Sequence, residues 1–334
     1  MQSDSLARSA VLPKPRWQQA LRQAFRDPAE LLAFLGLPPE PRAAPALFPM
    51  RVPRRFARRM EYGNRHDPLL LQVLPESGEM EAQPGFCDDP VGDRDSRQTR
   101  GVLHKYHGRV LLVATGACAV HCRYCFRQAF PYQQERASAD RWQPAVDYVA
   151  ANGDIEEVIL SGGDPLMLPT VQLRRLSDSL APVGHLRRLR IHSRLPVVLP
   201  ERIDDRLCRW LAELPWPAVM VIHANHPNEF DSSVDAALSR LRRAGVQVLN
   251  QAVLLAGIND QAATLAGLMR RSFAAGALPY YLHQLDRVTG AARFEVEDRR
   301  AVALVETLRR ELSGYLVPRL VRERAGVPYK TPIL

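Results

Sequence analysis

Three cysteines fall within eight residues: Cys118, Cys122 and Cys125, in the stretch TGACAVHCRYCFRQAF, spaced C-x3-C-x2-C. Three thiolates can hold three irons of a [4Fe–4S] cluster and leave the fourth iron without a protein donor. An electron-transfer ferredoxin instead fills all four positions with Cys. A small molecule at the open iron can accept an electron, which allows radical chemistry. The alternative is a zinc site using Cys118, Cys122, Cys125 and His121 or another ligand. Zinc takes four donors, usually as paired C-x2-C units, and the second pair is missing here. His121 also adjoins Cys122, an awkward direction for chelating the same ion. Cys87 and Cys208 stand apart and read as packed or surface thiols.

Two further groups could do chemistry. Ser161-Gly162-Gly163-Asp164 ends an apolar run. Two glycines there let the backbone approach a ligand closely and offer it carbonyl and N–H groups. Lys330 sits in Tyr329-Lys330-Thr331-Pro332, four residues before the end. A lysine so placed is ordinarily solvated, and a covalent role for it needs independent support.

The elements that must position these groups are periodic from Arg109 onward. Apolar runs at Val110–Ala114, Glu157–Leu160, Leu189–Ile191, Ala218–Ile222, Val246–Leu255 and Pro279–Leu282 alternate with amphipathic segments. Those segments predict helices near 140–151, 170–181, 204–213, 233–244, 261–275 and 296–312. Continuous apolar strands are buried on both faces, and strand–helix repetition implies parallel pairing with right-handed crossovers. The fold class is therefore α/β, a partial, open (β/α)6 barrel, two units short of the full eight. Active groups in such folds collect beyond the C-terminal strand ends. The cysteines follow the first run and the Gly-Gly turn the second. Ser193-Arg194 follows the third, and His223 with Asn225-His226-Pro227-Asn228-Glu229 the fourth. Asn250-Gln251 lies within the fifth, and His283 to Asp286 follow the sixth. All fall on one rim.

Residues 1–100 read as an N-terminal, mainly helical wrapping region, 101–315 as the barrel and 316–334 as a C-terminal segment carrying Lys330. Trp17 to Leu37 has helical spacing, with Asp27-Pro28 starting a second helix. Residues 38–53 carry six prolines and should be extended or looped. Asp67 to Asp95 is rich in Pro, Gly and acids and reads as a surface wrap.

Composition limits the remaining possibilities. The 334 residues are 46% hydrophobic and 24% charged, values of a soluble globular protein. No run approaches the ~18–20 apolar residues of a membrane span. The N-terminal MQSDSLARSA has no apolar h-region, so a cytoplasmic location without membrane attachment is expected. Five cysteines are too few for a disulfide scaffold. The net charge of +9 includes the run Arg51, Arg54, Arg55, Arg58, Arg59. Such charge could attract nucleic acid, an acidic protein or an anionic substrate. With no nucleic-acid motif beside it, it reads as a solvated face, and no nucleic-acid partner is expected. A zinc-stabilised, basic nucleic-acid-binding protein is the non-enzymatic alternative.

The cysteine loop after the first strand, with a Gly-Gly turn after the second, resembles the radical S-adenosylmethionine superfamily. The strings HKYHGRVLL, CRYCFRQ, VILSGGDPL, HSRLPVVLPERI, HANHPNE, NQAVLLAGIND, PYYLHQLD, SGYLVPRL and KTP are similar to the lysine 2,3-aminomutase family. They run in order through most of the chain.

The resemblance implies an isomerase with a radical S-adenosylmethionine barrel and three cofactors: a [4Fe–4S] cluster, S-adenosylmethionine and pyridoxal 5′-phosphate. Cys118, Cys122 and Cys125 would hold the cluster. Gly162, Gly163 and Asp164 would line the S-adenosylmethionine amino-group site. Lys330 would carry pyridoxal phosphate covalently. Lys105, Arg109 and Gln251 would hold its phosphate, with Tyr106 beside its ring. Arg127 would clamp the substrate carboxylate, and Asp286 and Glu323 the distal ammonium of L-lysine. The implied reaction moves the amino group of L-lysine from C2 to C3, giving (R)-β-lysine, after a radical removes hydrogen from the β-carbon. An electron donor such as flavodoxin or ferredoxin would reduce the cluster. A related reading keeps these cofactors but changes the amino acid, for example to arginine or glutamate. Two departures stand out. Glu323 occupies a position that is Asp in clostridial-type enzymes, and the glycines before the Lys are reduced to Ala325-Gly326-Val327-Pro328-Tyr329. The chain also stops at Leu334, where longer aminomutases continue. This short form resembles the bacterial branch that supplies β-lysine for elongation factor P and its lysine ligase.

Overall fold

The structure, a computed structural model, describes residues 16–39, 49–132 and 142–334. The expectations for the extreme N-terminus, for 40–48 and for the first residues of the helix near 140 lie outside these.

One ten-stranded sheet runs in chain order from β1 to β10. Strands β3 (Arg109–Thr115), β4 (Glu157–Gly162), β5 (Arg188–Ser193), β6 (Ala218–Ile222), β7 (Gln247–Val253) and β8 (Leu278–His283) correspond to the six apolar runs. Each pairs in parallel with the next. The helices Gln143–Ala151, Thr170–Leu180, Asp205–Ala212, Ser232–Arg243, Ala262–Ala274 and Asp298–Glu311 alternate with them. Two of these six helices start on a capping carboxylate, Asp204 and Asp231. Asp231, for example, accepts from the N–H groups of Ser233 and Val234, satisfying donors that the helix itself cannot.

The sheet extends beyond those six strands. On one side β1 (Arg97–Thr99) and β2 (Val102–Tyr106) add antiparallel to β3. On the other, β9 (Arg319–Arg322) pairs in parallel with β8, and β10 (Thr331–Pro332) turns back antiparallel on β9. These four strands are short and carry polar residues, so no apolar run marked them.

The strands are also less uniformly apolar than expected. In β5, Leu189 and Ile191 are buried while Arg190 and His192, between them, line an internal cavity. This period of two marks a sheet with one face in the core and the other on a polar lumen.

The region before residue 100 is not a peripheral wrap. Trp17, Phe25, Leu31, Leu32, Phe56, Leu69 and Leu70 belong to one continuous core with Val110, Leu160 and Ile191. Within Asp67–Asp95, read as surface, Val73 and Val91 are also buried, because the helix Pro68–Leu71 turns its leucines inward. The arginine run is likewise not a solvated face. Arg51 donates to the Cys118 carbonyl at 2.8 Å and Arg54 to the Gln23 carbonyl at 2.8 Å. Arg55 pairs with Glu201 at 2.9 Å, and Arg59 donates to the Glu229 carbonyl and, at 2.6 Å, to the Val197 carbonyl. Arg54 and Arg58 are exposed, and the other three are half-buried. The run staples the N-terminal segment onto the barrel. No helix among the described residues is long and apolar enough to cross a membrane.

Candidate active site

One cavity of about 550 Å³ runs through the lumen. Its wall includes Cys118, Cys122, Cys125, Gly162, Gly163, Asp164, Lys105, Tyr106, Arg109, Gln251, Arg127, Asp286, Glu323 and Lys330. Every site residue expected from the sequence therefore faces the same space, whose size suits a cofactor and a small substrate.

The cysteine loop begins where β3 ends. Burial, then repulsion from Cys125, Asp164 and Cys122, pushes the Cys118 thiol well up; burial and the charge of Cys122 push Cys125 to about 12. Buried thiols crowded this way favour a bound cation that holds them as thiolates. Among the described residues no three His, Cys, Asp or Glu side chains form a site for a single metal ion, and the His121 ring hydrogen-bonds the Pro49 carbonyl. The side chains thus do not form the zinc arrangement. Three separate sulfurs suit a multi-iron cluster, in which each binds its own iron.

The Gly-Gly turn also packs against the cysteine loop. A Cβ on Gly163 would lie 2.5 Å from the Ala117 carbonyl oxygen, and one on Gly162, whose φ is +115°, would lie 2.6 Å from the Thr115 oxygen. The close approach is to the cysteine loop's own backbone. Gly163 N–H donates to Thr115 at 2.7 Å and Asp164 N–H to Ala117 at 2.8 Å, which fixes the loop. The Asp164 carboxylate is taken up internally. It accepts from Leu166 N (3.0 Å), Ser193 Oγ (2.8 Å), Arg194 N (2.8 Å) and Leu195 N (3.3 Å). Burial still raises its carboxyl to about 6, against those hydrogen bonds.

Elsewhere on the cavity wall, strand register does the positioning. Thr331 pairs with Arg322 across the β9–β10 hairpin, which sets Lys330 opposite Glu323. Lys330 Nζ lies 2.6 Å from Glu323 Oε2, so the lysine is held in place rather than solvated. Glu323 Oε1 accepts from Lys105 Nζ at 2.9 Å. Lys105 also donates to the Val91 carbonyl at 2.8 Å and meets Asp93 at 2.6 Å. Asp93 in turn accepts from Arg127 Nε at 2.6 Å, and Arg127 Nη1 donates to Ser161 Oγ at 3.1 Å. Burial alone would raise Glu323 and Asp93, but Lys330 and Lys105 hold Glu323 low, and Arg127 and Lys105 hold Asp93 low. Asp286 differs. Burial and Glu323 push its carboxyl up to about 7, and its buried Oδ1 has no hydrogen-bond partner among the described residues. Arg109 stacks 4.7 Å over the Tyr106 ring, and the buried Gln251 Oε1 also lacks a partner. The amide can flip to present its NH₂, so Arg109 and Gln251 can both donate to an anion such as a phosphate.

Asp93 and His192 were missed in the sequence, and Arg194, His223 and His283 were placed on the rim without a role. Asp93, which bridges Lys105 and Arg127, lay in a stretch read as surface, and no local pattern marks it. Arg194 is buried with its guanidinium on the Cys122 sulfur; its place after the third strand was the available signal. His192, His223 and His283 each leave a buried Nε2 unpartnered in the lumen. Burial first, then the nearby cations, holds all three imidazoles well below their ordinary value, and therefore neutral.

Comparison with known proteins agrees with this geometry. Residues 112–268 match the Radical SAM superfamily model. The chain is 48% identical to the L-lysine 2,3-aminomutase of Escherichia coli (strain K12) over 95% of this chain and 94% of that protein. It is 47% identical to that of Haemophilus influenzae over 96% of each chain. Against the L-lysine 2,3-aminomutase of Clostridium subterminale it is 30% identical, covering 95% of this chain and 77% of the longer protein. It is an enzyme of the isomerase class, whose cofactors are a [4Fe–4S] cluster, S-adenosylmethionine and pyridoxal phosphate. With its cysteine loop, lumen and paired tail lysine, the chain belongs to the L-lysine 2,3-aminomutase family of radical S-adenosylmethionine enzymes.

Proposed function

We propose that this chain rearranges free L-lysine to (R)-β-lysine, which a lysine ligase then attaches to elongation factor P. The observation that carries the substrate is the acid pair Asp286 and Glu323 in the same cavity as Arg127. Glu323 already holds a primary ammonium, that of Lys330, at 2.6 Å, and Asp286 presents an unpartnered buried oxygen. Those are the partners a lysine side chain requires. Each charge-assisted bond contributes about 1.5–3 kcal/mol, enough to choose lysine over an uncharged analogue. A distal carboxylate, as in glutamate, would be repelled.

The geometry supports the residue roles implied by the resemblance. Cys118, Cys122 and Cys125 would hold the cluster, and the turn at Gly162, Gly163 and Asp164 would offer backbone carbonyls to the amino group of S-adenosylmethionine. Arg109, Gln251 and Lys105 would hold the pyridoxal phosphate, with Tyr106 beside its ring and Lys330 as the anchoring amine. When bound, these groups supply a carbon radical able to remove hydrogen from an unactivated carbon, and a carbonyl to carry the migrating nitrogen. The protein positions and shields. Asp93 fixes the Arg127 guanidinium through Nε, and its remaining edge can take the substrate carboxylate as a planar fork. The neutral His192, His223 and His283 line the lumen without adding charge. The one-electron donor is read as flavodoxin or ferredoxin.

The elongation factor P assignment rests on the resemblance of the sequence motifs to the short bacterial branch. The test is an anaerobic assay of reconstituted enzyme on lysine, arginine, ornithine and glutamate, with products separated by chromatography. β-Lysine from free lysine is the expected result; turnover of another amino acid with none from lysine would overturn the reading. For the pathway, elongation factor P from cells lacking this chain should release no β-lysine on hydrolysis. Undiminished β-lysine would remove the link.

A further inference from the structure

The geometry points to Arg194 as a positioning residue that tunes the reduction potential of the cluster through the Cys122 sulfur. This rests on the three-cysteine cluster described above. Arg194 Nη1 donates to Cys122 Sγ at 2.7 Å. Its Nη2 meets Gln72 Oε1 at 2.6 Å and Glu229 Oε2 at 3.0 Å. The guanidinium lies 5.4 Å from the Phe56 ring centre and 5.7 Å from that of Tyr124. Its backbone N–H is fixed by Asp164 at 2.8 Å. The Arg194 and Glu229 side chains are 6% and 0% exposed, so little water screens the pair.

An ion pair alone does not explain this arrangement. Glu229 satisfies one end of the guanidinium, while the other end is spent on sulfur, a weak acceptor when protonated and a good one as an iron-bound thiolate. Cationic N–H donation withdraws charge from that sulfur and stabilises the additional electron of the reduced cluster. Hydrogen bonds to cluster sulfurs and local net charge are established levers on potential. Glu229 opposes the effect. Its Oε1 accepts from Asn225 N at 2.8 Å, His226 N at 3.2 Å and Gln72 Nε2 at 3.2 Å, which fixes the carboxylate behind the arginine. The two residues should therefore shift the potential in opposite directions. Gln72 and Phe56 come from the segment before the barrel, so that segment, which also touches the cysteine loop through Arg51, bears on the Cys122 sulfur through this side chain.

The test compares Arg194→Lys, Arg194→Gln and Glu229→Gln in the anaerobically reconstituted full chain. Iron and sulfide are counted, and the midpoint potential is read by an EPR-monitored redox titration without S-adenosylmethionine. Arg194→Gln is expected to lower the potential at unchanged iron content, Arg194→Lys to lower it less, and Glu229→Gln to raise it. Unchanged potentials, or shifts of one sign in both positions, overturn the proposal. Loss of the cluster in all three variants also overturns it, since that assigns Arg194 a purely structural role. A wild-type chain without an iron–sulfur signal would instead sink the underlying cluster assignment.

Discussion

Lys330 and Asp286 show how the fold sets the behaviour of single side chains. Four residues from the chain end, Lys330 would ordinarily be solvated, yet a hairpin register pairs it with Glu323. Lys330→Ala is expected to abolish the pyridoxal absorbance and turnover while leaving iron content and its visible absorbance in place. Retained activity would show that another amine serves. Asp286 is pushed up to about 7 by burial and Glu323, against the pull of Lys330 and Lys105, with Asp93 adding to the rise. A substrate ammonium needs the ionised carboxylate. Lysine affinity is therefore expected to improve as pH rises through about 7 and to weaken, up to about tenfold per unit, as it falls. Asp286→Asn should flatten this limb of the KM profile and raise KM by roughly ten- to hundredfold, the equivalent of about 1.5–3 kcal/mol. A steep limb surviving in the variant would place the titration elsewhere.

Between single residues and the sheet lie the turns, and there the sequence was legible in place more than in purpose. Gly162-Gly163 stood out as a close approach at a strand end, and it is one. What it approaches is the carbonyl backbone of Thr115 and Ala117, because residues separated by a whole helix meet only after β3 and β4 pair. Gly163→Ala would force a Cβ to 2.5 Å from the Ala117 oxygen. Overpacking of this kind typically costs about 1–3 kcal/mol. The variant is expected to melt at lower temperature and to bind less iron, since the cysteine loop must move. Normal iron content with a normal melt would show that the loop can yield freely. The same logic explains why β9 and β10 escaped notice. Two short polar segments gain strand geometry only from their neighbours, and no local period announces them.

Across the molecule, the six strand–helix units were readable because apolar runs and amphipathic helices repeat at regular spacing. The three cysteines were readable because ligands from one loop must be close in sequence. Asp93 was not, and Arg194 was legible in place but not in role, since their partners lie on other elements: Asp93 meets Lys105 and Arg127, and Arg194 meets Gln72, Glu229 and Cys122. The N-terminal region misled for the same reason. Its prolines, acids and arginines resemble a solvated wrap, yet its leucines share the barrel's core and its arginines bind barrel carbonyls. What unites the chain is a lumen lined by both the thiols and a lysine–carboxylate pair. The function proposed for it makes one demand on the chemistry: nitrogen must move between adjacent carbons of the same lysine molecule. Reconstituted, reduced enzyme given S-adenosylmethionine, pyridoxal phosphate and L-lysine labelled with ¹⁵N at the C2 amino group tests this directly by NMR. The label is expected on C3 of the product; label that stays on C2, or that is released to solvent, would contradict the account.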